Sequence, residues 1–78
     1  MPSIYREDGF RFGFFSNENN EPPHIHVKSA ERSAKFWLVS IELVNNYGYT
    51  SKELGRIESI IAKHREEFLE KWNEYFRN

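Results

Sequence analysis

No cysteine occurs in the 78 residues, which removes both a disulfide framework and a thiolate metal site. Long apolar runs are missing as well. Nothing approaches the roughly 18 apolar residues of a membrane span, and the first residues lack the apolar core of a secretory leader. The expectation is a cytoplasmic chain without a membrane segment. Charge of one sign is also absent: 11 basic and 12 acidic side chains leave a formal net charge of −1. Binding nucleic acid through bulk electrostatics is thereby disfavoured, while a local basic face stays open. Only 3 prolines and 4 glycines punctuate the chain, so turns are few and placed.

What the chain has is aromatic weight, 17% of its residues. A domain this small buries only about 60% of its unfolded surface, so large rings must supply the core. One domain over residues 1–78 is expected.

Ser3 to Arg6 can form a short strand, and Glu7-Asp8-Gly9 is a turn signal. Phe10 to Phe15 alternates, with Phe10, Phe12 and Phe14 on one face. Ser16 to Glu21 is a polar loop closed by Pro22 and Pro23. The stretch E-P-P-H-I-H-V-K follows over Glu21 to Lys28. Strand alternation turns Ile25 and Val27 to a core and leaves His24, His26 and Lys28 on the other side, toward solvent. Ala34 to Leu38 is a further strand with Ala34, Phe36 and Leu38 inward. Ile41 to Val44 reads as a short fifth strand or one helical turn, ended by the turn residues Asn45-Asn46-Tyr47-Gly48.

The last third reads as helix. Thr50 and Glu53 form a capping box, with Tyr49 and Leu54 at staple spacing. Leu54, Ile57, Ile61, His64, Phe68, Trp72 and Tyr75 recur at helical steps. The fold class is therefore α+β: an antiparallel sheet of four to five strands with one long C-terminal helix packed on one face. That helix, from about Ser51 to Phe76, is roughly 39 Å long. Five strands span only about 19 Å. Phe68, Trp72, Tyr75 and Phe76 are accordingly expected to overhang and to form a partner interface, with a small partner protein or a second copy.

Several of these pieces resemble a small bacterial family catalogued as a domain of unknown function, number 4160. They are Met1-Pro2-Ser3-Ile4, Asp8-Gly9-Phe10, Ser16-Asn17, the P-P-H-x-H-V run from Pro22 to Val27, and A-K-F-W-L from Ala34 to Leu38. Glu42-Leu43, Gly48-Tyr49 and the ending W-x-E-Y-F from Trp72 to Phe76 complete the likeness. The resemblance implies one half of a small two-gene module, of a kind sometimes treated as toxin–antitoxin. It assigns no catalytic residues.

The residues themselves leave several readings of the His-x-His pair. As acid–base catalysts, His24 and His26 could cleave RNA or another phosphate ester, with Arg11, Ser16, Asn17 or Lys35 orienting or neutralising a phosphate. As ligands they could hold a divalent metal ion with Glu31, at the spacing H-x-H-x4-E. As part of a binding surface, Arg11, His24, His26, Lys28, Lys35 and Trp37 would present a basic and aromatic patch to single-stranded nucleic acid or an acidic peptide. The plainest reading is a half-solvated sheet with no site at all.

Overall fold

Asp8 and Gly9 both take positive φ, 54° and 81°, as a two-residue hairpin turn of the primed kind requires. They fold Ser3–Glu7 (β1) onto Phe10–Gly13 (β2) with Glu7 opposite Phe10. The computed structural model describes residues 3–15 and 20–77. A second hairpin joins His24–Ser29 (β3) to Arg32–Trp37 (β4), and Leu43–Tyr47 (β5) completes a five-stranded antiparallel sheet in the order β1-β2-β3-β4-β5.

The fifth strand begins and ends later than Ile41–Val44. Asn45, Asn46 and Tyr47, expected as a turn, pair with Lys35, Ala34 and Ser33 instead. The turn moves on to Gly48, at φ 101°. Asn46 stabilises it, its amide donating to the Tyr49 carbonyl at 2.9 Å while its side-chain oxygen accepts from Tyr49 N at 3.0 Å.

One face of the sheet is the core. Phe10, Phe12, Phe14, Ile25, Val27, Ala34, Phe36 and Leu38 are buried there with Ile57, Ile60, Ile61 and Phe68. Burying this much apolar and aromatic surface is what can offset the ordering entropy of a short chain. Ile25 and Val27 thus lie on the side that alternation assigns them.

The helical segment starts where the sequence places it. Glu53 N donates to Thr50 Oγ1 at 3.2 Å and Thr50 N to Glu53 Oε1 at 2.9 Å, a complete capping box. The expected single long helix is instead two, Ser51–Lys63 (α1) and Arg65–Phe76 (α2), with His64 between them at φ −111° and ψ 16°. The hydrogen-bond ladder barely lapses, since His64 N donates to Ile60 O and Ile61 O, and Phe68 N to His64 O. Arg65 Nε donates to the Leu38 and Val39 carbonyls, fixing α2 to the end of β4. Phe68 then meets Phe12 at 5.7 Å and Trp72 meets Phe14 edge-on at 5.3 Å. The expected overhang fails for these two residues, because both find cover within the chain. Among the described residues no helix is long and apolar enough to cross a membrane.

Candidate functional site

Pro22 and Pro23 deliver the chain to β3 in a fixed position, with Pro23 O accepting from Leu38 N at 3.0 Å. His24 Nδ1 donates to the Pro22 carbonyl at 2.9 Å and lies 3.7 Å from Glu21 Oε1. Its ring is wedged at the end of the sheet, 4.8 Å from Trp72, 5.9 Å from Trp37 and 5.2 Å from His26 between centroids. His24 is 0% exposed. The expectation that both histidines share the solvent-facing side therefore holds for the strand position of His24 and not for its ring. Trp72, on the helix that covers the core, reaches the end of the sheet and closes over it.

His26 is half-buried, edge-on to Phe15 at 4.3 Å, and lies opposite Gly13 and Lys35. Lys35 Nζ donates to Glu21 Oε1 at 2.6 Å and stands 5.1 Å from the Trp37 ring centroid. Its side chain is only 12% exposed, so this cation is already neutralised and largely enclosed.

Of the residues singled out in the sequence, the structure brings His24, His26, Lys35 and Trp37 together at one end of the sheet. Arg11 and Lys28 face each other further along, both exposed. Ser16 and Asn17 lie outside the described residues. Glu31 sits in the turn past Ser29, at the far end of β3, with roughly 10 Å of strand between His26 and the start of that turn, so it is not brought to the histidines. Among the described residues no three His, Cys, Asp or Glu side chains cluster as metal ligands.

Three residues beside these positions have no role in the sequence reading. Glu21 reaches both His24 and Lys35. Arg6 stands opposite Arg11, a register already implied by the Asp8-Gly9 turn. Tyr47 faces Ser33 from the edge strand. No curated protein and no solved structure matches the chain. The family model described as Domain of unknown function (DUF4160) matches residues 9–73, and the chain belongs to that family.

Proposed function

We propose that the chain is the RNA-binding component of a two-gene, toxin–antitoxin-like module and takes single-stranded RNA on the open face of its sheet. The observation that carries this reading is the make-up of that face. By register its strand positions hold the exposed cations Arg6, Arg11 and Lys28, the Glu21-paired Lys35, and His26, Trp37 and Tyr47, with no carboxylate at a strand position of that face. Cations for phosphates beside rings for bases are what a single strand requires. The net charge of −1 is no obstacle, because among the described residues only Glu21, which pairs with Lys35, brings a carboxylate to this face, and the other acidic residues stand in turns, loops and helices or, as Glu7 does, opposite a core position.

Paired acid–base cleavage by His24 and His26 is the competing reading. It needs the His24 ring to touch a substrate, and complete burial of that ring weighs against it. At the end of α2, Tyr75 is 42% exposed and Phe76 half-buried, and these two offer the surface for a small partner or a second copy.

Fluorescence anisotropy with a labelled oligouridylate tests the proposal. Salt-sensitive binding with the RNA left intact is expected. Absence of binding overturns it, and cleavage by the wild type that is lost in His26→Ala, at the half-buried position, with its melting temperature retained restores the catalytic reading.

A further inference from the structure

We infer that the nucleic-acid strand runs across the sheet, away from the histidine motif, with phosphates on Arg6, Arg11 and Lys28 and a base on the Tyr47 ring. This rests on the reading of the outer face as an RNA-binding surface.

The register makes the path. Arg6 lies opposite Arg11, Arg11 opposite Lys28, Lys28 opposite Ser33, and Ser33 opposite Tyr47. One row thus crosses all five strands, with three cations on three adjacent ones. Neighbouring strands are about 4.8 Å apart, and like charges directly opposite one another destabilise a sheet. Arg11 has such a neighbour on both sides.

A protein that needed only stability would neutralise this row, and the means are close by in sequence. Glu7 and Asp8 follow Arg6 directly, yet both turn to Arg56 on α1, whose Nε donates to Asp8 Oδ2 at 2.6 Å and whose Nη2 donates to Glu7 Oε2 at 3.3 Å. Glu53 is taken by Arg32 and Glu21 by Lys35. Among the described residues, Arg6, Arg11 and Lys28 make no ion pair, and all three are exposed. The shallow depression of about 350 Å³ at the β1–β2 hairpin is lined by Glu7 and Asp8 as well as Arg6 and Arg11, so the phosphate track is set by the exposed row and not by that hollow. Beyond Lys28 the row turns neutral and ends on Tyr47, 64% exposed at the sheet edge, a ring available for stacking.

The histidine end is the poorer track. Its one cation, Lys35, is held by Glu21, and His24 is enclosed.

Titration of labelled oligouridylate at several salt concentrations tests the path. Three phosphate contacts predict a slope of log K against log salt of roughly −2 for a single strand. Arg11→Gln should weaken binding and reduce the slope to roughly −1.4. Tyr47→Ala should weaken binding about tenfold with the slope unchanged. Arg11→Glu, which places a carboxylate between Arg6 and Lys28, should abolish binding without lowering the melting temperature. Lys52→Gln, on α1, should alter nothing. If the wild type binds but Arg6, Arg11 and Lys28 can each be neutralised without effect, the path is wrong and RNA binding stands. If the wild type binds no strand, the functional reading falls with it. Equal binding of duplex RNA or of an acidic peptide overturns the single-strand assignment. Oligothymidylate bound as tightly as oligouridylate supports recognition of the phosphate track and bases without the ribose hydroxyl.

Discussion

The His24 ring packs against the Trp72 indole with 4.8 Å between centroids, joining the first residue of β3 to the last helix. The two histidines of one motif consequently have different work. His24→Ala removes an enclosed ring and the hydrogen bond to Pro22 O. A loss of about 2–3 kcal/mol in urea unfolding is expected for it, within the range for large-to-small core changes. His26→Ala, at a half-buried position, should cost about 0.5–1 kcal/mol. Equal effects of the two substitutions would contradict this division.

Trp72 and Tyr75 separate in the same way. Trp72→Ala opens the core beneath Phe14 and His24, and about 3–5 kcal/mol should be lost. Tyr75→Ala should leave unfolding within about 1 kcal/mol of the wild type, because the ring is substantially exposed. Any self-association through the helix end should be weakened by Tyr75→Ala, read by light scattering. Trp72→Ala is unsuitable for that purpose, since it damages the fold.

Acid should destabilise the chain through two carboxyls. The Thr50 backbone hydrogen bond, with Arg32 adding to it, holds Glu53 below its ordinary 4.5. The Tyr5 hydroxyl, donating at 2.5 Å, does the same for Glu7. A carboxyl with a depressed folded-state pKa contributes stability that is complete above its unfolded value and is lost as pH falls through the folded one. The melting temperature should therefore drop below about pH 4.5, and Glu53→Gln should shrink that drop while lowering stability at neutral pH. An unchanged acid limb in Glu53→Gln would remove the capping box from the explanation.

Two backbone positions predict opposite signs. Ala30, in the β3–β4 turn, has φ 52°, a left-handed conformation unfavourable to a side chain. Ala30→Gly should stabilise the fold by about 0.5–1 kcal/mol, net of the entropy glycine loses. Gly48 has φ 101°, and a Cβ there would stand 2.7 Å from Arg32 Cγ. Gly48→Ala should cost at least about 1 kcal/mol. Denaturation midpoints measure both.

How legible this was in the sequence differs by element. The start of α1 was plain, because Thr50 and Glu53 act within one helical turn and need nothing distant. The core face of the sheet was plain too, since alternation at Phe10, Phe12, Ile25, Val27 and Phe36 depends only on pleat. The break at His64 had no local mark: the one glycine of the helical stretch, Gly55, lies nine residues before it and no proline is present, and α2 is positioned by Arg65 on the Leu38 carbonyl and by aromatic packing on Phe12 and Phe14. Asn45 to Tyr47 carry turn chemistry, yet the free edge of β4 recruits them into a ladder. For His24, alternation gave the strand position. Its burial depends on a tryptophan 48 positions later, which no window of sequence contains.

Each strand pairs only with its neighbours in the chain, and the first and third connections, Asp8-Gly9 and Ala30-Glu31, are two-residue turns. Hairpin closure can therefore run ahead of any distant contact, which favours rapid folding. The helices, 13 and 12 residues long, are at or below the length at which isolated helices are marginal in water. Their docking then falls late on the folding route, so Ile60→Ala or Phe68→Ala should quicken unfolding far more than it slows refolding.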